Sequence, residues 1–137
     1  MKTMKDVCES HYDKWIYDCS GFLKAVATDV GITLKGQAND IVETMKVSPW
    51  IALGHDAEKA VLLAGQRHLV VAGLKALPNG HVAVVLAGSA KPHPTAYWGS
   101  ISKHPGRNKT LNWCWVKTDL PKVQYFAHAI PTPISIK

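Results

Sequence analysis

The first half of the chain alternates apolar and polar residues with the period of an α-helix. Apolar residues recur there at spacings of three and four positions: Phe22, Leu23, Val26 and Val30. Gly31 ends this pattern, and Cys19 lies at or just before its first turn. The pattern predicts an amphipathic helix with Cys19 close to its amino terminus, on the same face as the apolar residues.

Two further helices are predicted in this half. One extends over about 37–46 and is closed by Pro49, because the residue before a proline disfavours the helical conformation. The other extends over 56–65. It opens on Asp56, a residue type that caps free backbone N–H groups, and it stops at Gly65.

The pattern then changes to short runs rich in β-branched residues. Segments 68–72 and 81–87 predict two neighbouring antiparallel strands, because the connection between them contains the turn sequence Pro78-Asn79-Gly80. Further strands are predicted over three later segments, separated by turns such as 104–106: 95–101, 112–117 and 122–130. Helices first and strands afterwards predict an α+β fold class, in which N-terminal helices pack on a C-terminal antiparallel sheet.

The length and composition predict one globular domain over 1–137, with 47% hydrophobic and 19% charged residues. Apolar runs such as 82–87 are far shorter than the roughly 20 residues that a membrane-spanning helix needs. The segment 1–9 carries lysines with no apolar stretch behind them, so we expect neither membrane insertion nor a cleaved secretory signal.

The formal net charge of +6 favours anionic partners without choosing among them. Five Trp and four Tyr beside sixteen Lys and Arg are also typical of surfaces that stack nucleic-acid bases. However, Trp113, Cys114 and Trp115 alternate as residues on a strand do, and we expect them to help build the core. The lysines are scattered along the chain, and no nucleic-acid partner is predicted.

Cys19 and His81 are the candidate catalytic pair. A cysteine attacks carbonyl groups as the thiolate, and at a helix amino terminus the sulfur faces unpaired N–H donors that also suit a developing oxyanion. His81 begins a predicted strand directly after Gly80. Ala83, on the same side of that strand, would leave room beside the imidazole. From the residues alone, a small buried cysteine and a structural histidine are the alternative.

The other cysteines leave two questions open. Three cysteines form an odd set, so at least one thiol lies outside any internal pairing. Cys8 and Cys114 can form a disulfide in an oxidising compartment, or Cys114 can be a buried free thiol. Cys8 lies three residues before His11, a spacing that fits no common zinc pattern, and no metal site is predicted.

Two motifs in the chain resemble, in this order, the signature of NlpC-type cell-wall cysteine peptidases: DCSGF at 18–22 and GHVAVV at 80–85. That resemblance implies a papain-like fold. More narrowly, the chain resembles the first family of type VI secretion amidase effectors. The similarity extends over nearly the whole chain and is carried by three segments: 18–41, 72–75 and 98–101. The resemblance implies a single peptidoglycan amidase domain with Cys19 as nucleophile, His81 as general base, and no cofactor.

Members of that family are toxins that type VI secretion injects into the periplasm of rival Gram-negative bacteria without a signal peptide. They cleave the bond between D-glutamate and meso-diaminopimelate in peptidoglycan peptide stems. The resemblance therefore implies, as partners of a monomeric protein, peptidoglycan stem peptides, a cognate periplasmic immunity protein that occludes the active site, and the type VI secretion tube protein.

The residue that orients the histidine is left open by the sequence. Relatives place a polar residue on the next strand, where this chain has Tyr97; Tyr97, His93 and a backbone carbonyl are the candidates. Asp18 caps the predicted helix or binds the diaminopimelate amine, and the cap is the favoured interpretation. Segments 33–39 and 91–95 are expected to flank the cleft, either as loops that recognise the stem peptide or as simple connectors.

Two other functions are compatible with the same residues. One is a catalytically silent module that binds the cell wall or a partner protein on the same fold. The other is the same dyad acting on a different amide, such as the crosslink between D-alanine and diaminopimelate.

Overall fold

The structure is a computed structural model, and it describes residues 2–101 and 104–131. Within these residues the helices are α1 (Met4–Tyr12), α2 (Cys19–Asp29), α3 (Ala38–Met45) and α4 (Ala57–Ala64). The strands are β1 (Ile51–Gly54), β2 (His68–Leu74), β3 (His81–Val85), β4 (Thr95–Trp98), β5 (Gly106–Thr110) and β6 (Gln124–Ala129). Two short 3-10 helices cover Leu111–Trp113 and Leu120–Lys122.

The strands form a six-stranded sheet in the order β1-β6-β2-β3-β4-β5. Each neighbouring pair is antiparallel. The α+β fold class and the antiparallel sheet are therefore confirmed. The predicted pairing of the strands on either side of the Pro78-Asn79-Gly80 turn is also confirmed, with His81 opposite Leu74 and Val84 opposite Val71.

The two faces of the sheet are covered by different helices. On one face, alternate strand residues such as Val71, Val82 and Val84 pack against buried residues of α1, α2 and α3. On the other face, residues such as Ala83 and Val85 pack against α4 and the segment after β5. The prediction that all helices precede the sheet is wrong in this respect, because β1 comes before α4, and α4 packs on the opposite face.

The three predicted helices are confirmed as α2, α3 and α4, each within two residues of its predicted ends. The caps behave as the sequence suggests, since the Asp56 side chain accepts a hydrogen bond from the backbone N–H of Lys59. Gly65 lies at the C-cap of α4, as predicted. None of the helices among residues 2–101 and 104–131 is long and apolar enough to cross a membrane.

The predicted strand over 112–117 is wrong. The segment forms the 3-10 helix Leu111–Trp113 and the turns that follow it. Leu111 is fully buried and anchors the segment, whereas 68% of Trp113 is exposed. Leu111 is therefore the residue that the segment buries in the core, and Trp113 is not part of the core.

Candidate functional site

Cys19 is the first residue of α2, where the sequence places it. Asp18 is the N-cap: its Oδ1 accepts hydrogen bonds from the backbone N–H of Gly21, at 2.9 Å, and from the Ser20 hydroxyl, at 3.0 Å. The capping interpretation of Asp18 is therefore confirmed. The Asp18 cap uses the backbone N–H of Gly21. The N–H groups of Cys19 and Ser20 therefore remain to donate toward the Cys19 sulfur.

The connection between α1 and α2 brings Cys19 close to the first residues of β3. The backbone N–H of Ser100 donates to the Ile16 carbonyl at 3.0 Å, so this connection lies against the chain that leaves β4. A side chain at Gly99 would clash with the Trp15 carbonyl oxygen, which explains why a residue without a Cβ is required there. The connection thus occupies the space beyond the β3–β4 pairing, beside the first residues of β3.

The surroundings of the Cys19 sulfur shift the pKa of its thiol in opposite directions. Burial raises the pKa of the thiol, while hydrogen bonds from the backbone of Val82, Ser20 and Cys19 itself act to lower that pKa. The net direction is upward from the ordinary value. The helix terminus therefore donates to the sulfur as expected, but burial outweighs its effect on the pKa of the thiol.

His81 opens β3 at the edge of the same space. Burial lowers the pKa of its imidazole to about 4, because the charged form loses its hydration. The ring packs against the indole of Trp115, with centroids 5.3 Å apart and an interplanar angle of 64°. An imidazole with a lowered pKa is in the neutral form that can accept a proton.

Cys19 and His81 line one open cleft of about 880 Å³. Two segments of the chain form much of its wall besides the catalytic candidates: 37–40, at the start of α3, and 113–116, after β5. The structure therefore brings the two predicted site residues to the same cavity. The predicted contribution of segment 33–39 is confirmed in its last residues, whereas segment 91–95 does not line the cleft and its prediction is wrong.

The side-chain candidates for orienting the histidine lie elsewhere. The Tyr97 hydroxyl donates to the carboxylate of Glu9, which also pairs with Arg107 at 2.7 Å, and the Tyr97 ring is buried among the helices. His93 is not a lining residue of the cleft. Neither residue is placed to hold the imidazole. Ala83 is buried beneath the sheet and not beside the cleft, so the room expected from it is not used.

The remaining cysteines do not pair with each other. Cys8 is fully buried in the core formed by α1, α2 and α3, while Cys114 lies at the wall of the cleft. Both thiols are free in the structure, which agrees with the second of the two alternatives left open by the sequence, a free thiol at Cys114. Cys114 is half-buried, and burial raises the pKa of its thiol.

The cleft has a charge opposite to that of the whole chain. No Lys or Arg is found among its described lining residues. Three carboxylates line it: Asp18, Asp40 and Asp119. Asp18 and Asp40 cap helices, since Asp40 accepts from the Gln37 backbone N–H at 3.0 Å. Among the described residues, Asp119 pairs with Lys122 at 4.0 Å, a longer contact than the hydrogen bonds made by Asp18 and Asp40. A cationic group of a ligand would find its partner here.

Sequence reasoning missed the aromatic wall of the cleft. Trp113 and Trp115 are both expected in the core, and both line the cleft; Trp115 also packs against the buried cluster, whereas Trp113 is largely exposed. The local signal was ambiguous, because alternation of large residues predicts a strand and the tertiary context decides which side is covered. The exposed apolar residues Tyr17, Ile101 and Val116 also lie at this cleft.

We expect His81 to make folding stability depend on pH. Its pKa is about 4 in the folded chain and 6.5 ordinarily, so between these values the unfolded chain binds a proton that the folded chain excludes. The free energy of unfolding should fall as the pH decreases from 6.5 to about 4. In His81→Gln this part of the decrease should disappear. Urea unfolding of both proteins at pH 7.5 and 4.5 measures it; an identical decrease in both would contradict the assignment.

Comparison with known proteins identifies the group to which the chain belongs. The chain is 33% identical to the peptidoglycan amidase Tse1 of Pseudomonas aeruginosa strain PAO1, over 138 aligned residues that cover 91% of this chain and 88% of the relative. No protein-family model matches the chain. The chain is an amidase effector of the type VI secretion class. More particularly, it belongs to the first family of these effectors, the family that the sequence motifs indicated.

Proposed function

We propose that this chain, as one amidase domain over 1–137, hydrolyses an amide bond in peptidoglycan, with Cys19 as nucleophile and His81 as general base. The observation that carries the proposal is that Cys19, at the start of α2, and His81, at the start of β3, line one cleft. A related protein of almost the same length is a peptidoglycan amidase, which supports the substrate class.

The proposed reaction begins from the neutral pair. His81 takes the thiol proton of Cys19 as the sulfur attacks the amide carbonyl, and backbone N–H groups at the start of α2 stabilise the oxyanion. The imidazolium then gives its proton to the leaving amine, and a thioester forms on Cys19. Water that His81 deprotonates hydrolyses the thioester, which releases the new carboxylate and restores the thiol. No metal or cofactor takes part in these steps.

The bond we propose is the amide between γ-D-glutamate and meso-diaminopimelate in the peptide stems. In an uncrosslinked stem, diaminopimelate carries a free ammonium group at the end of its side chain, away from the nitrogen that forms the amide. The cleft suits this group, because Asp119 is a loosely paired carboxylate at its wall and the described lining lacks Lys and Arg. A substrate that carries carboxylates and no cationic group would be less well matched to the negative charge of this cleft.

The biological setting is proposed from the family. We propose that the protein has the papain-like NlpC-type fold and is delivered by type VI secretion, with the tube protein as a carrier. It would act as a toxin in the periplasm of recipient Gram-negative cells. The producing cell would hold a cognate periplasmic immunity protein that covers the cleft, whose exposed apolar rim, including Ile101 and Trp113, offers a surface for such a partner.

Digestion of purified Gram-negative sacculi tests the proposed bond. The wild-type protein should release fragments that end in γ-D-glutamate and others that begin with a free amine on diaminopimelate, identified by mass spectrometry. Fragments cut at the crosslink between D-alanine and diaminopimelate would support amidase activity but contradict the proposed bond. Unchanged muropeptides would reject the enzymatic proposal in favour of a silent wall-binding module.

A further inference from the structure

Trp115 is in ring contact with the proposed catalytic base. Its indole and the His81 imidazole have centroids 5.3 Å apart and planes inclined at 64°. This arrangement is the edge-to-face geometry that aromatic pairs prefer. Among the hydrogen bonds described for residues 2–101 and 104–131, none uses a ring nitrogen of His81. Within this part of the chain, the ring contact with Trp115 is the specific interaction of this imidazole.

The segment that carries Trp115 is held firmly. The backbone N–H of Leu111 donates to the Pro94 carbonyl at 2.8 Å, and the N–H of Cys114 donates to the Leu111 carbonyl at 2.9 Å. The Leu111 side chain is fully buried in the cluster beneath the sheet, and Trp115 packs against that cluster. An indole fixed in this way presents a rigid surface, since its side chain has only two rotatable bonds.

We propose that Trp115 is the positioning residue for His81, holding the imidazole against the cleft wall by ring packing in place of a polar side chain. This inference rests on the proposed function for its catalytic meaning, but the contact itself does not depend on turnover. Tyr97, the polar residue that the sequence offered for this role, is committed to Glu9 on the other face of the sheet.

Ring packing would favour the neutral form of the base. Burial lowers the pKa of the His81 imidazole, and the Trp115 indole is one of the groups in contact with it. A polar partner would favour one tautomer; an aromatic partner restricts the ring's orientation instead.

The test compares Trp115→Ala, Trp115→Phe and Trp113→Ala. In Trp115→Ala, kcat on purified muropeptides should fall about 10- to 100-fold with KM nearly unchanged, because the base is no longer held in register with the thiol. The acid limb of the pH profile should move from about 4 toward the ordinary value of 6.5, as water reaches the imidazole. Trp115→Phe keeps an aromatic ring and should restore most of kcat and the original limb.

Several titratable groups line the cleft with His81 and bear on the profile: Asp18, Cys19, Asp40, His104, Cys114 and Asp119. Trp113→Ala is the matched control for them, since it removes the same type of side chain from the same wall without a described ring contact to His81. Its acid limb should remain that of the wild type, whatever happens to KM. A limb that moves equally in Trp113→Ala and Trp115→Ala would overturn the proposal.

Nuclear magnetic resonance of the wild-type protein gives a reading that needs neither activity nor a stable variant. Nuclear Overhauser effects should connect the imidazole protons of His81 to the indole protons of Trp115, and the imidazole should titrate below its ordinary range. Absence of these effects would reject the positioning role even in an active enzyme. If they are present but sacculi remain undigested, the proposed function fails while the ring contact stands.

Discussion

Cys19→Ala should abolish hydrolysis of peptidoglycan, lowering kcat/KM by about 10⁴-fold or more. The sulfur is the group that forms the thioester in the proposed reaction, and loss of a nucleophile leaves only the rate enhancement of the binding site and its oxyanion donors. Stability should change little, because removing a half-buried sulfur at the first position of α2 leaves the Asp18 cap intact. The measurement is the rate of muropeptide release, with urea unfolding beside it.

Cys8→Ala provides the matched control for the loss of a thiol. Cys8 is fully buried among α1, α2 and α3 and does not line the cleft. This variant should retain the wild-type rate and lose about 1 kcal/mol of stability, since it removes one buried sulfur from the core. Retention of activity in Cys19→Ala, or its loss in a folded Cys8→Ala protein, would show that the nucleophile is wrongly assigned.

Gly99→Ala should lower the free energy of unfolding by about 2–4 kcal/mol. The added carbon would clash with the Trp15 carbonyl and lie 2.7 Å from that of Asp18, and both are backbone atoms that cannot move aside individually. The connection before α2 must shift, and the thiol shifts with it. We therefore expect reduced activity as well as a lower unfolding midpoint.

Gly65→Ala separates this steric effect from the general cost of replacing glycine. A Cβ at Gly65 would have ordinary contacts, with its nearest neighbour at 3.5 Å, and the residue does not need a positive φ. Its unfolding free energy should remain within about 1 kcal/mol of the wild type. If urea unfolding gives equal midpoints for the two variants, the close approach at Gly99 is not what fixes the connection.

The elements that the sequence predicted well are those whose local signals agree with their tertiary surroundings. Helix α2 has an apolar face, an Asp cap and a stop at glycine, and all of these act in the structure. Strand β5 was missed because it is an edge strand: most of Gly106–Thr110 is exposed and polar, so it lacks the alternation that identifies a half-buried strand.

Helix α1 was missed for a different reason. Its apolar face is short, but its start carries a usable signal, a capping box in which Thr3 accepts from the Asp6 backbone N–H and Asp6 accepts from that of Thr3. Strand β1 has only four residues, and its pairing with β6 joins positions far apart in sequence. Nothing local announces such a pairing, because it is decided by the sheet.

The two central residues of the candidate site were found through motifs, whereas their surroundings were not. Cys19 and His81 lie in short segments with recognisable neighbours, and the structure brings both to one cleft. The contact between His81 and Trp115 depends on how a 3-10 helix directs the chain after β5. The upward direction of the thiol pKa depends on burial, which a helix-terminus argument does not include.

The sheet order also affects how the chain can be made. The strand nearest the carboxyl terminus, β6, lies between β2 and β1 and joins them, so β1 has no other neighbour in the described sheet. Ile51 meets Ala127 only after a long loop has closed, which slows folding relative to local pairing. A ribosome must therefore release the chain through β6 before the sheet can close. Premature termination before β6 would leave the edges of β1 and β2 unpaired, and nascent fragments of this kind are prone to aggregate.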